Sequence, residues 1–476
     1  MFHEVEKYNK KGYNSNIHRK SNGKRYVISD LKNNERQQEV LCLVLEKLKE
    51  WVEFPEKKKE NPDINFQPLH LTVIGSGGTG KSFVIHLLCN VMEKLFKGID
   101  SMILGAPTGS SAFNIFGSTI HSQFNLLPNM KNYRDFIRNK DALRKRFRRK
   151  LIMILDERSL ISQELMGLID ETLHHTLYGF TKQERTSFGG LPIVIAFGDD
   201  HQLPSIVIKG SGKGATYYFY KNKNTNLKRN QRQNNPKFVV EKNGMQRFMD
   251  LASNVIEMTR NYRKQKGEKK LSRMLKNLRE SDGLTTEEVQ ILERLHIKNL
   301  SHNQLEELKQ EATFIFARRN DCSEYNFECL SNMVTQDNPL ASIHSDFSGT
   351  KKSHFSKENK KTKTLLCRNA KVAIKGQNFL PKWGLFNGAV GTVIHINFEK
   401  GDNPNNKDLP SFVIVDFKNY KGPIWNEKHP TVSTILIVTL RLITYCNTLP
   451  LTDFTLCILT FLLQKACSYS CHQATM

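Results

Sequence analysis

The residues with the most specific chemistry form one glycine-rich segment, Gly75-Ser76-Gly77-Gly78-Thr79-Gly80-Lys81-Ser82. It satisfies the pattern G-x-x-x-x-G-K-[ST], in which successive backbone N–H groups surround phosphate oxygens. In that pattern Lys81 reaches the β- and γ-phosphates, and the Ser82 hydroxyl binds Mg²⁺. The alternative is a glycine-rich turn that binds no ligand. The lysine and serine in the required positions favour a binding site for a nucleoside triphosphate.

Two further polar groups follow apolar runs. Asp156-Glu157 comes directly after the apolar residues 151–155, and Gln202 lies shortly after a second run, 193–197. Ligands of open α/β sheets bind at the carboxyl ends of the strands, so these groups are expected at one edge of a sheet. We predict that Asp156 binds Mg²⁺ together with Ser82 and that Glu157 polarises the attacking water. The amide of Gln202 can donate and accept, which suits a sensor of the γ-phosphate.

The elements that would position these groups are strands and helices in alternation. Apolar residues before Gly75 predict a strand, and helical spacing after Lys81 predicts a helix that begins at the turn. A helix is also predicted from Asn33 onward, and the apolar residues 102–104 predict another buried strand. Continuous apolar strands of this kind indicate a parallel α/β sheet covered on both faces. Further strands are predicted at residues 312–317, 390–396, 412–417 and 432–438.

The charge of the chain favours a polyanionic partner. Lys and Arg number 71 against 47 Asp and Glu, a formal net charge of +24, which is typical of nucleic-acid-binding proteins. The segment Arg134–Lys150 is either a solvated helix face or a surface that tracks a nucleic-acid strand. Hydroxyl residues in the segment 107–121 could hydrogen-bond a sugar-phosphate backbone. The unpaired spacing of the cysteines predicts a reducing compartment, and no membrane span is expected.

These motifs, in this order, resemble those of the Pif-type (petite integration frequency) DNA helicases of superfamily one. The matching segments span about residues 31–440 and read GSGGTGKS, APTGSSAFNIFGSTIHS, LDERSLIS, GDDHQLP, TRNYRKQ and GLFNG. The resemblance implies ATP as the nucleotide, Mg²⁺ as the metal, and single-stranded, forked or structured DNA as the partner. It further implies 5′-to-3′ translocation in DNA repair, recombination, telomere or genome maintenance, by a monomer. A nuclear location is expected, with the mitochondrion as the alternative.

The same resemblance implies roles for individual residues. Gln37 would read the adenine edge, although Gln38 is an alternative register and either glutamine could simply face solvent. Arg263 would be an arginine finger, the alternative being a surface arginine. The groove for single-stranded DNA would be lined by Pro107, Thr108, Thr119 and His121.

The fold implied by the resemblance is α/β, with two RecA-like parallel-sheet motor domains and a small β-barrel-like insert in the second. The expected organisation is a flexible basic arm at 1–30, motor domains at 31–255 and 256–388, an SH3-like insert at 389–440 and an atypical tail at 441–476. The tail is poor in charge and rich in cysteine, and it departs from the family's pattern. The alternative function is therefore a truncated, non-unwinding ATP- and nucleic-acid-binding remnant of a Helitron-type transposon helicase.

Overall fold

The structure is a computed structural model of the chain. It describes residues 31, 34–97, 99–126, 140–177, 186–205, 236–262, 269–280, 283–344, 363–374, 381–398, 410, 412–417, 419–421 and 434–438. The chain divides into two compact units, Met1–Gln290 and Ile291–Met476. No helix in the described ranges has the length and apolar character needed to cross a bilayer. The predicted basic arm and the atypical tail lie outside the described residues.

The first unit contains a six-stranded sheet in which every pair of neighbouring strands is parallel, in the order β3-β2-β4-β5-β1-β6. Its strands are β1 (Leu69–Gly75), β2 (Met102–Ala106), β3 (Ser118–Thr119), β4 (Ile152–Leu155), β5 (Ile193–Gly198) and β6 (Val255–Met258). The carboxyl end of β5 therefore lies between the carboxyl ends of β4 and β1. The predicted α/β class and its buried parallel strands are confirmed.

Helices cover both faces of the sheet. The α-helices described between residues 35 and 294 are α1 (Glu35–Glu60), α2 (Lys81–Phe96), α3 (Gly109–Asn114), α4 (Ile120–Gln123), α5 (Lys140–Phe147), α6 (Gln163–Leu177) and α7 (Pro236–Leu251), followed after β6 by α8 (Lys269–Glu280) and α9 (Thr286–Arg294). Ile152 and Ile154 of β4 pack in the cluster that holds the apolar stripes of α1 and α2. The intervening Met153 and Leu155 pack with α6 and α7. Burial on both faces is the reason that β2, β4 and β5 are apolar throughout.

Residues 255–258 belong to the first sheet, which corrects the predicted domain boundary near residue 255. Strand β6 pairs with β1, with Thr72 opposite Val255 and Gly75 opposite Met258. An edge strand leaves a row of backbone N–H and C=O groups unpaired, and β6 satisfies those of β1 on that side. The sheet therefore ends after the predicted boundary. The other boundaries stay predictions.

The second unit contains antiparallel pairs. Its elements are α10 (His302–Glu311), α11 (Arg319–Met333), β7 (Ala341–His344), β8 (Lys363–Leu366), β9 (Lys371–Ala373), β10 (Val390–Asn397), β11 (Phe412–Phe417) and β12 (Thr434–Val438). β7 pairs with β8, and the other four form an antiparallel sheet in the order β12-β11-β10-β9. The strands predicted at 390–396, 412–417 and 432–438 are confirmed.

The strand predicted at residues 312–317 is wrong. Within the described part of the chain these residues pair with no strand, and Ile315 is 94% exposed. The rings of Phe314 and Phe316 lie 4.8 and 5.2 Å from the ring of Tyr325 in α11. The segment therefore packs against α11 through aromatic rings. The second parallel sheet implied by the family resemblance stays a prediction.

Candidate nucleotide-binding site

The glycine-rich segment forms the tight turn between β1 and α2. Gly78 and Gly80 have φ angles of 89° and 88°, in the left-handed region that side chains with a Cβ rarely adopt. A Cβ on Gly80 would also lie 2.2 Å from Nε2 of Gln37. Ser82 lies exposed in the first turn of α2. The turn therefore requires glycine both for its backbone conformation and for its packing.

The ammonium group of Lys81 lies among carboxylates. Its Nζ donates hydrogen bonds to the carbonyl oxygens of Gly75 and Ser76, at 2.6 and 3.2 Å. Burial lowers the pKa of Lys81, and three carboxylates oppose that shift: Asp199, Asp156 and Glu157. The P-loop lysine and the polar ends of β4 and β5 are therefore close enough to act on one ligand.

The acidic pair follows β4 as predicted. Burial raises the pKa of the Asp156 carboxyl from 3.8 to about 6, and the backbone N–H of Glu157 donates to its Oδ1 at 2.9 Å. Glu157 has a φ of 52°, in the left-handed region that a non-glycine residue adopts at a cost of roughly 1 kcal/mol. Strained backbone of this kind clusters at functional sites. The turn directs two adjacent carboxylates to the carboxyl edge of the sheet.

The donor set fits Mg²⁺. Asp156 is 7% exposed. One carboxylate and one serine hydroxyl are typical ligands of magnesium sites, which complete their coordination with phosphate oxygens and water. Within the described ranges, no three His, Cys, Asp or Glu residues lie close enough to hold a metal by themselves. A site that uses Asp156 and Ser82 would therefore need oxygen atoms from a bound phosphate.

Replacing Asp156 by Asn should stabilise the metal-free, nucleotide-free protein above pH 6. The raised pKa means that the folded state holds the proton more tightly, so stabilisation by protonation is complete below pH 3.8 and is lost as the pH rises through about 6. At pH 7.5 the charged, buried carboxylate therefore lowers the free energy of unfolding by about 3 kcal/mol. Urea denaturation should show Asp156→Asn more stable by up to that amount at pH 7.5, and by less than ~1 kcal/mol near pH 4.

The control for this experiment is Asp63→Asn, an exposed substitution after α1. The difference between its free energies of unfolding at the two pH values should be close to that of the wild type. An Asp156→Asn variant whose stability relative to the wild type is the same at both pH values would contradict the raised pKa of the buried Asp156 carboxyl in the metal-free protein.

The loop after β5 is held by two arginines that sequence reasoning missed. Nη1 of Arg279, on α8, lies 2.8 Å from Oδ1 and 2.9 Å from Oδ2 of Asp199. Nε of the buried Arg158 lies 3.2 Å from Oδ1 of Asp200. Gln202 is exposed in this loop, and its backbone N–H donates to the Asp199 carbonyl oxygen at 3.1 Å. The strand order places the loop that carries Gln202 between the P-loop after β1 and the acidic pair after β4.

Two residues directly after β6 donate hydrogen bonds to backbone carbonyl oxygens of the P-loop. Nδ2 of Asn261 donates to the carbonyl oxygen of Gly77, and the backbone N–H of Tyr262 donates to that of Gly78, both at 2.8 Å. The Tyr262 hydroxyl accepts a hydrogen bond from Asn34. Sequence reasoning missed Asn261 and Tyr262, although their position after an apolar strand is the signal that located Asp156. Arg263 lies outside the described residues.

Of the two glutamines considered for adenine recognition, the structure brings Gln37 to the P-loop. Its side chain is buried, and Nε2 donates to the carbonyl oxygen of Thr79 at 3.2 Å. Gln38 instead donates from Nε2 to the carbonyl oxygen of Leu31 at 2.5 Å. The placement favours the first register.

The residues predicted to line a DNA groove lie together at the β2–β3 edge of the sheet. Ala106 pairs with Thr119, which brings Pro107 and Thr108 near the start of α4. The hydroxyls of Thr108 and Thr119 cap α3 and α4, accepting from backbone N–H groups at 3.2 and 3.4 Å. His121 is partly buried, and burial lowers its pKa. Helix capping gives both threonines a structural role in addition to the predicted one.

A basic surface adjoins this edge. Helix α5 is anchored by the buried Leu143 and Phe147, and Nη1 of Arg146 donates to the carbonyl oxygen of Gln123 at 2.8 Å. The exposed cations of this basic surface are Arg144, Lys145, Arg146, Arg148 and Arg149. The helix predicted to be either a solvated face or a strand-tracking surface thus lies against the segment that carries Thr119 and His121.

A parallel sheet with a P-loop after β1 and an acidic pair after β4 defines a RecA-like P-loop nucleoside triphosphatase domain. Residues 61–268 match the family model described as PIF1-like helicase. The family predicted from the sequence motifs is therefore the one whose model matches this part of the chain.

The chain is similar to the ATP-dependent DNA helicase Pif1 of Psychrobacter sp. (strain PRwf-1), with 26% identity over 148 residues. That match covers 30% of this chain and 21% of the relative, so it spans about a fifth of the relative's length. The crystal structure of Pif1 helicase from Candida albicans has a TM-score of 0.51 and 22% identity, covering 81% of this chain and 76% of that one. This likeness shows the fold. Bacteroides Pif1 bound to ssDNA has a TM-score of 0.47 and 19% identity, covering 82% and 72%.

Proposed function

We propose that this protein is an ATP-dependent DNA helicase that translocates along single-stranded DNA. The observation that carries the proposal is the strand order β4-β5-β1, which places the acidic pair after β4 and Asp199 after β5 at the same carboxyl edge of the sheet as the P-loop after β1. These residues all lie inside the segment 61–268 that matches the PIF1-like helicase model. The Psychrobacter relative, whose name gives it as an ATP-dependent DNA helicase, supports the same activity.

Each residue of the site would have a separate role in ATP hydrolysis. The backbone N–H groups of the P-loop and the Lys81 ammonium would bind the phosphates. Ser82 and Asp156 would hold Mg²⁺, which supplies positive charge that stabilises the transferring phosphoryl group. Glu157 would accept a proton from the attacking water, since it lies beside Asp156 and is only partly buried. Gln202 would report the presence of the γ-phosphate from the loop after β5.

DNA would bind at the β2–β3 edge and along the basic surface of α5. The formal net charge of +24 and the exposed cations of α5 favour the phosphate backbone as their partner. Affinity built on phosphate contacts decreases as salt increases, because bound cations are released from the DNA. The 5′-to-3′ polarity and the roles in repair, recombination, telomere or genome maintenance rest on the family resemblance. The nuclear location, the monomeric state and the preference for forked or structured DNA stay predictions.

Strand displacement on two matched substrates tests the proposal. A partial duplex with a 5′ single-stranded tail should be separated in ATP and Mg²⁺, whereas the same duplex with a 3′ tail should stay intact. ADP should support neither reaction. Displacement on the 3′-tailed substrate alone would contradict the polarity. Binding of ATP and single-stranded DNA without displacement of either substrate would support the non-unwinding remnant instead.

A further inference from the structure

Arg279 forms a cross-element ion pair at the nucleotide site. It belongs to α8, whereas its partner Asp199 follows β5, eighty residues away along the chain. The side chain of Asp199 is 5% exposed and that of Arg279 is 27% exposed, so the pair is largely removed from water. Removing one member of such a pair leaves an uncompensated charge in a poorly solvated position. The pair is therefore a strong constraint on where the Asp199 carboxylate points.

Besides Arg279, a second cation, the Lys81 ammonium, interacts electrostatically with the Asp199 carboxylate. Among the carboxylates that act on the Lys81 ammonium, Asp199 acts most strongly, ahead of Asp156 and Glu157. Strand β5, which precedes Asp199, is the direct neighbour of β1, which leads into the P-loop. Yet both carboxylate oxygens of Asp199 contact Arg279, while Lys81 donates to the carbonyl oxygens of Gly75 and Ser76.

We propose that Arg279 is a positioning residue that keeps the Asp199 carboxylate away from Lys81 and so leaves the P-loop lysine for phosphate oxygens. The proposal rests on the proposed function only in taking the P-loop as a nucleotide site. Besides Arg279, Lys81 is the cation whose charge acts on the Asp199 carboxylate. Without Arg279, a direct pair between Asp199 and Lys81 would compete with the phosphates of ATP. The charge of Asp199, rather than the position of its loop, would then weaken ATP binding.

A purely structural role makes a different prediction. If Arg279 only anchored the loop that carries Gln202, loss of the anchor would be equally harmful whether or not residue 199 is charged. If Arg279 holds the carboxylate off Lys81, removing that charge should restore binding in the Arg279 variant. Asp199→Asn keeps the oxygen that accepts from the backbone N–H of His201 at 3.2 Å. The double variant therefore separates the two roles.

The experiment measures the Kd of a fluorescent ATP analogue for the full chain, without DNA. Arg279→Gln should bind about 10-fold more weakly than the wild type, which corresponds to about 1.4 kcal/mol. Asp199→Asn combined with Arg279→Gln should bind within ~3-fold of the wild type, a difference below ~1 kcal/mol. Arg279→Lys should bind more tightly than Arg279→Gln but less tightly than the wild type, because the ammonium group can still pair with Asp199 as a point charge but lacks the planar guanidinium.

The matched control is Arg273→Gln. Arg273 lies on the same helix and forms an ion pair of the same kind, with its Nε 2.9 Å from Oε1 of Glu288. This variant should keep wild-type ATP affinity even if its melting temperature falls. The proposal is overturned if Arg279→Gln binds ATP as the wild type does, or if the double variant is as weak as Arg279→Gln.

The outcome is distinguishable from failure of the proposed function. A chain that binds ATP with these differences but separates no DNA strands would contradict the helicase proposal and support the role of Arg279. A wild-type chain that binds no ATP would overturn both proposals. Melting temperatures of all variants exclude unfolding as the cause of lost binding.

Discussion

Lys81→Ala is expected to lower ATP turnover by at least about 10²-fold, the scale seen when one positioned donor to a developing charge is removed. The ammonium group of Lys81 would supply the positive charge that binds the β- and γ-phosphates. Among the described residues, the charged groups that act most strongly on it are carboxylates. Without the ammonium, those carboxylates would repel the triphosphate. Phosphate release at saturating ATP and single-stranded DNA measures the effect.

The loss should be catalytic and not a loss of folding. Burial opposes the charge of Lys81, so the alanine variant should keep the wild-type melting temperature in the absence of nucleotide. Lys59→Ala removes an equal charge from the exposed end of α1 and should keep full turnover. Wild-type turnover by Lys81→Ala would show that the glycine-rich segment is not the site of hydrolysis.

Glu157→Gln is expected to separate ATP binding from ATP hydrolysis. Glutamine has the same size but cannot accept a proton from water, and loss of a general base typically slows the reaction by about 10²–10⁴-fold. The strained φ of 52° at this position is a property of the turn after β4, and we expect the substitution to leave it in place. ATP affinity should therefore stay within ~3-fold of the wild type, a difference below ~1 kcal/mol.

Single-turnover hydrolysis of labelled ATP, together with the Kd of a fluorescent ATP analogue, measures both quantities. Glu56→Gln, an exposed substitution near the end of α1, is the control and should change neither. An unchanged hydrolysis rate would move the proton-accepting role to another residue. A parallel loss of affinity would instead indicate that Glu157 helps to hold the nucleotide.

Much of the site is predictable from sequence, because the strand-to-loop transitions are local patterns. The apolar run before Asp156 reports a buried strand, and the residues that follow it must lie at the carboxyl edge of a parallel sheet. The same reasoning locates the P-loop and Gln202. It identifies only Arg263 in the segment after β6, where the structure shows Asn261 and Tyr262 in contact with the P-loop.

Arg158 and Arg279 show why the remaining site residues escaped prediction. Each is one of 71 basic residues. Arg158 lies inside one of the matching motifs and Arg279 outside them, but neither position along the chain shows which carboxylate the arginine contacts. Their function depends on partners, Asp200 and Asp199, that only the folded chain brings near. Ionic contacts between distant segments leave no periodic pattern in the sequence.

The segments 255–258 and 312–317 illustrate the same limit for the fold. Both segments have apolar character that favours an extended backbone, but a strand requires a hydrogen-bonding neighbour. Val255 finds one in β1, whereas the described residues offer none to Ile315. Local composition cannot distinguish these cases, because the neighbour comes from elsewhere in the chain.

From its residues alone, the chain reveals a P-loop, an acidic pair and the family motifs around them, since each depends on a short, contiguous pattern. Only the tertiary structure shows that β5 lies between β4 and β1, and hence that Asp199 comes close to Lys81. It also shows that Arg279, on a helix outside every recognised motif, forms an ion pair with the Asp199 carboxylate. Electrostatic effects act through space. Strand order and helix packing, rather than position in the sequence, therefore determine which charges act on Lys81 of the P-loop.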